Sequence, residues 1–183
     1  INKIKRFEDA KQKTINFLNV DLKKINKNKS GYAVNDHISK CFNLSFKILK
    51  KNNNTALLNG PISKTNFLKK KYKGITEYIA NKTKSKNEVM LIYNNNLSVS
   101  PITTHVPVKY INKEISFKKI RSKILSINNF FKKKLYKKPL IAVLGLNPHC
   151  ETIDKFSEEN SIISPAIKNL KKKVKVYGPF STD

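Results

Sequence analysis

Cysteine, arginine, glycine and acidic residues are all scarce in this chain, and each shortage excludes something. Two cysteines, Cys41 and Cys150, stand too far apart to read as a disulfide framework. That fits a reducing compartment and points to a cytoplasmic setting. Arg6 and Arg121 are the only arginines, so the forked guanidinium groups that commonly read bases and phosphates are nearly missing. With five glycines in all, the turn Asn59-Gly60-Pro61-Ile62-Ser63-Lys64 lacks the glycine-rich spacing of a nucleotide-phosphate loop. No apolar run approaches membrane-spanning length, so no membrane partner is expected. Charges separate the apolar residues of the opening segment, which does not suit a signal peptide.

Lysine is what the chain has in excess. It supplies 36 of 38 basic residues against 12 acidic ones, for a formal charge of +26, and it comes with 23 Asn and 21 Ile. That combination is favoured by an A- and T-rich coding sequence decorating solvated faces. The lysines spread over every segment and the aromatics fall mostly at apolar helix and strand positions. A basic nucleic-acid-binding module would instead cluster its lysines beside exposed aromatics, and it remains the rival reading. Attraction for small anionic substrates is a further consequence of the charge. At 183 residues, with ten Phe and seven Tyr, the chain can bury one sizeable core, or one domain and part of another.

Strands and helices mostly alternate. Ile15–Val20 has the content of a short strand. From Tyr32 to Lys50, Val34, Ile38, Cys41, Phe42, Phe46 and Leu49 recur at helical spacing. Thr55–Leu58 reads as a short buried strand and Lys64–Lys70 as a brief helix. Glu88–Tyr93 and Leu97–Thr104 flank three asparagines, as in a hairpin. Ser116 suits the N-cap of a helix carrying Ile120, Ile124, Ile127, Phe131 and Leu135. Leu140–Leu144 is a strand. Ser157 opens another helix, with Glu158 and Glu159 placed where the helix dipole favours negative charge, and Lys173–Tyr177 is the last strand. The expected fold is α/β, a mixed sheet flanked by helices. Residues 1–68 would form part of one α/β domain and 69–183 part of a second.

Two histidines follow apolar runs. His105 ends Ile102-Thr103-Thr104-His105 ahead of Pro107, and His149 ends Gly145-Leu146-Asn147-Pro148-His149. Open α/β sheets hold ligands beyond the carboxyl ends of their strands, so two such imidazoles could share one crevice. A catalytic metal usually takes three protein ligands plus an open position, and two histidines at rims equally fit unconnected polar residues. Lys64, Thr76 and Glu77 lie in rim-like segments and suit either an anionic substrate or structure. His37 sits inside the first helix and reads as a structural residue.

Taken in order, Asn59–Lys64, Gly74-Ile75-Thr76-Glu77-Tyr78, Thr104-His105-Val106-Pro107, Gly145–His149, Glu158-Glu159 ahead of Pro165-Ala166-Ile167, and Gly178-Pro179 with Asp183 resemble the 4-hydroxythreonine-4-phosphate dehydrogenase family, PdxA. The similarity runs through essentially the whole chain, which corresponds to the central part of the family and looks cut at both ends. The resemblance implies an isocitrate-dehydrogenase-like two-domain α/β/α fold, a homodimer with an interdomain site, NAD, and a divalent cation (Zn, Mg, Co or Mn). It also implies oxidation and decarboxylation of 4-phosphooxy-L-threonine in vitamin B6 biosynthesis. His105 and His149 match two of three metal histidines, the third belonging to a His-Asp-Gln-Gly motif not found here. Asp183 matches an aspartate near metal and substrate, the catalytic position, and Lys64, Thr76 and Asn147 match substrate contacts. Three departures stand out. Ile75 replaces the histidine of Gly-His-Thr-Glu, Cys150–Asp154 replaces a glycine- and glutamate-containing loop, and the family's Pro-Gly-Glu-Pro-x-Gly segment and most NAD-contacting residues have no counterpart. A dehydrogenase of a related phosphorylated hydroxy acid and an inactive fragment are therefore the alternatives within the family.

Overall fold

A computed structural model describes residues 1–22, 30–53, 55–69, 71–150 and 156–182. The chain divides into two compact units, Ile1–Ile79 and Ala80–Asp183. Among the described residues no helix is long and apolar enough to cross a membrane.

The first unit is organised by aromatic rings. Helix α1 (Ser30–Lys51) follows the periodicity of its apolar residues and buries Phe42 and Phe46. Phe67 stacks on Phe42 at 6.0 Å, and Tyr78 from helix α2 (Ile75–Thr83) meets Phe42 and Phe67 edge-on at 5.3 and 5.2 Å. Such edge-to-face pairs add roughly 0.5–1.5 kcal/mol each beyond their burial. Strands β1 (Asn2–Ile4) and β2 (Asn16–Leu18) pair in parallel, placing part of the expected Ile15–Val20 strand in a ladder.

Two expected elements of this unit do not form. Thr55–Leu58 is not a strand: no described residue pairs with it, and Leu58 is 97% exposed while Leu57 packs against the aromatic cluster. A strand needs a partner to satisfy its ladder, and an apolar run alone does not provide one. The helix expected over 64–70, whose last residue lies outside the described residues, gives way to turns over 64–69. Among the described residues one helical-type bond forms, from Phe67 N–H to the Ser63 carbonyl at 3.0 Å, and Lys69 then takes φ +48°, outside the helical region.

The second unit packs two helical segments against a parallel strand pair. Helix α3 (Ile111–Glu114) is a single turn, followed by α4 (Phe117–Lys134). Ser116 caps α4 as expected, its Oγ accepting from the Lys119 N–H at 3.3 Å. Ser116→Ala should cost about 1 kcal/mol, read as a lower midpoint in thermal unfolding followed by far-UV circular dichroism. Ile120 and Ile124 meet Ile163, Ala166, Ile167 and Leu170, all at most 3% exposed, together with Val174 and Val176.

Strand β3 (Ile141–Leu144) and strand β4 (Val176–Phe180) lie parallel, joined by a crossover that contains a π-helical turn (Glu159–Ile163) and helix α5 (Ser164–Leu170). Parallel neighbours require such a crossover. β4 runs further than expected, through Gly178 and Pro179, because the register shifts between Ala142 and Leu144. Gly178 at φ +124° sits where an added Cβ would lie 2.3 Å from the Val143 carbonyl oxygen, so only glycine fits this irregularity.

The hairpin around 94–96 is present but minimal, one antiparallel bridge between Ile92 and Val99 with bonds of 2.8 and 2.9 Å. The strand expected to continue to Thr104 does not: Ile102–Thr104 is irregular, and His105 turns at φ +56°. The described strands thus form two parallel pairs and an isolated antiparallel bridge, an α/β arrangement with small sheets.

Candidate functional site

The loop that leaves β3 is held by a buried carboxylate. Glu159, 1% exposed, opens the π-helical turn and reaches back to residues 146 and 147. Its Oε1 accepts the backbone N–H groups of Leu146 and Asn147 at 2.8 and 2.9 Å. Its Oε2 accepts from Asn147 Nδ2 at 3.1 Å and from the Ser157 hydroxyl at 3.0 Å. Ser157 also accepts from the Asn160 N–H at 3.3 Å, so the residue expected to open this helix both caps it and braces Glu159. Burial pushes the Glu159 pKa up, but the donors from Asn147, from its own backbone and from Ser157 outweigh that and hold it at about 2. The group is a carboxylate at neutral pH.

Gly145 makes this contact possible. A Cβ there would meet Cys150 Sγ at 2.6 Å and Glu159 Oε1 at 3.2 Å. The far flank of the loop is tied as well. Cys150 N–H closes a turn onto the Asn147 carbonyl at 3.0 Å, bringing Cys150 to φ +58°. The Pro148 carbonyl accepts from the Ser181 hydroxyl at 2.8 Å and the Thr182 N–H at 3.0 Å, joining the segment after β3 to the segment after β4. His149 lies between these ties with its side chain exposed.

The remaining candidate residues are distributed as follows. His105 is exposed in the bend before a 3-10 turn (Val108–Tyr110) of the same unit. The Asn147 amide is engaged by Glu159, and more weakly by Glu158 at 3.5 Å. In the first unit, Lys64 and Ile75 help wall a cavity of about 380 Å³ with the Asn59–Ile62 turn and Leu68. Thr76 is exposed in the first turn of α2, beside Glu77. Asp183 lies outside the described residues. Among the described residues, no three His, Cys, Asp or Glu side chains gather as a group able to hold a metal ion. Glu159 was legible only as a helix-dipole carboxylate; its long-range bonds to 146 and 147 leave no local pattern.

A β3–helix–β4 crossover whose two carboxyl ends are linked by hydrogen bonds, with a histidine on the connecting loop, defines an α/β protein with its candidate site at the strand-end rim. The chain belongs to the PdxA family: the family model described as "Pyridoxal phosphate biosynthetic protein PdxA" matches residues 1–183. It is 37% identical over 168 residues to the 4-hydroxythreonine-4-phosphate dehydrogenase of Wigglesworthia glossinidia brevipalpis, covering 87% of this chain and 48% of the relative. The protein of that name from Sulfurihydrogenibium sp. is 39% identical over 133 residues, 70% of this chain and 41% of the relative. A D-threonate 4-phosphate dehydrogenase of Salmonella typhimurium is 35% identical over 114 residues, 61% and 35% of the two chains. The solved structure of a putative 4-hydroxythreonine-4-phosphate dehydrogenase from Salmonella typhimurium superposes with a TM-score of 0.82 at 26% identity, covering 98% of this chain and 58% of that one. The chain spans about half the length of the curated relatives it matches.

Proposed function

We propose that this chain belongs to an NAD-dependent dehydrogenase that oxidises 4-hydroxythreonine 4-phosphate with the help of a divalent cation, on the route to pyridoxal phosphate. The observation that carries the reading is the loop after β3, clamped on both sides of an exposed histidine in a chain that matches the family throughout. An isocitrate-dehydrogenase-like two-domain fold, a homodimer and a cytoplasmic setting belong to the same reading.

The donor chemistry suits the cation. His105 and His149 are exposed imidazoles of one unit, and neutral imidazole is a common ligand for zinc and its neighbours. Two ligands fall short of the usual three, so a donor outside the described residues completes the set in this reading. A bound cation supplies Lewis acidity to the substrate alcohol, and NAD supplies the hydride acceptor. The chain's own residues position the reactants. His149 sits on the clamped loop and His105 at a bend of φ +56°, and in the first unit Lys64 and Thr76 carry an ammonium and a hydroxyl suited to an anion. Asp183 takes the role of base toward the hydroxyl proton. Oxidation at that carbinol leaves a ketone beta to the carboxylate, which makes loss of carbon dioxide the following step.

In the chain extended to the full length of its relatives, NADH should form from 4-hydroxythreonine 4-phosphate and cease when the cation is chelated. NADH formation that is indifferent to chelation, or none with this substrate or its close analogues, defeats the proposal. A second substrate reading is favoured by Ile75, which walls the cavity beside Lys64 where the family pattern has histidine. Isoleucine can neither donate a hydrogen bond nor carry charge. Threonate 4-phosphate is the competing substrate to assay, and its preference over 4-hydroxythreonine 4-phosphate in kcat/KM would favour this second reading.

A further inference from the structure

We infer that Glu159 is the positioning residue for His149, setting where that imidazole stands by anchoring the loop rather than by touching the ring. The inference rests on the proposed role of His149 as a metal ligand. Glu159 is 1% exposed and forms no ion pair with Lys or Arg among the described residues; the charge is met instead by directed N–H and O–H donors. The amides of Leu146 and Asn147 both donate to Oε1, which fixes the orientation of two consecutive peptide planes just ahead of Pro148 and His149. Pro148 restricts the next φ, and its carbonyl is held by Ser181 and Thr182. The turn from Asn147 to Cys150 closes the far side at 3.0 Å. Few backbone torsions between these ties are left free, so the direction of the His149 Cα–Cβ bond follows from where Glu159 holds residues 146 and 147. Gly145 belongs to the same device, since a side chain there would collide with the carboxylate oxygen and with Cys150.

A carboxylate kept only to fill the core would affect stability. A positioning carboxylate also affects the affinity of the group it positions, and through His149 alone. The test is therefore a cycle of Glu159→Gln, His149→Ala and the double variant in the chain extended to the full length of its relatives, titrated with zinc or cobalt alone by calorimetry. Amide hydrogen exchange at Leu146 and Asn147 is followed in parallel. Glu159→Gln should weaken cation binding several-fold, less than the roughly 10- to 100-fold expected for a group bonded directly to a metal ligand, and should speed exchange at both amides. On the His149→Ala background the same change should cost little more, because its route to the metal is already gone.

The outcomes separate the two claims. If His149→Ala leaves cation affinity unchanged, the ligand role of His149 falls, and the positioning inference falls with it. If His149→Ala weakens binding while a folded Glu159→Gln does not, the ligand role stands and the positioning inference alone is overturned. Equal losses from Glu159→Gln with and without His149 would also overturn it, as would a failure of both Glu159→Gln and Glu159→Asp to fold. Glu159→Asp keeps the charge but is shorter by one methylene; a folded Asp variant with weakened binding supports positioning, and one with parent affinity overturns it.

Discussion

His149→Ala is expected to lower divalent-cation affinity by more than about 100-fold, beyond the range for outer partners, and to remove turnover of the full-length protein. The melting temperature should stay near that of the parent chain. The two effects part company because of where the side chain stands. His149 is exposed, and backbone groups of residues 146, 147, 148 and 150 hold the loop that carries it. Exposed substitutions usually change stability by no more than about 0.5 kcal/mol. His105→Ala should behave alike, since that ring too is exposed. An unchanged cation titration in either variant would remove that residue from the ligand set.

Acid is expected to destabilise the second unit through Glu159, with a sign fixed by its depressed pKa. The folded value is about 2 against a reference of 4.5. The carboxylate therefore stabilises the fold fully above about pH 4.5, and this contribution is lost as pH falls toward 2. A difference of that size corresponds to about 3 kcal/mol. Glu159→Gln should lower urea-unfolding stability at neutral pH by a similar amount and flatten its pH dependence between about 5 and 2. Glu159→Leu should cost at least about as much, because it strands the buried N–H groups of Leu146 and Asn147. Parent and Glu159→Gln chains losing stability equally over that acid range would assign the effect to other carboxylates.

Elements with a strong local signature are legible in the sequence. α1 and α4 announce themselves by apolar spacing, and Ser116 marks the start of α4. The apolar run 140–144 becomes β3 almost residue for residue. What failed depended on partners. Thr55–Leu58 has strand composition but no described residue to pair with, and the run up to Thr104 keeps one bridge at Val99. The last strand was expected to end at Tyr177, yet β4 continues through Pro179, where the register shift between Ala142 and Leu144 and the adjacent Gly178 accommodate a residue with no N–H. At the candidate site, Gly145–His149 was legible as a strand-end motif, and the β3–β4 pairing gives it a rim. Glu159 is legible in the sequence as an acidic residue in a first turn, but its choice of two amides twelve and thirteen residues back is a tertiary fact.

Cobalt(II) titrated into the chain extended to the full length of its relatives, with imidazole proton resonances followed by NMR, tests most directly whether His105 and His149 serve one cation. Paramagnetic shifts should develop together on both rings at one equivalent and disappear from both when either histidine is replaced by alanine. Shifts confined to one of the two, or found on His37 instead, would contradict a shared metal site.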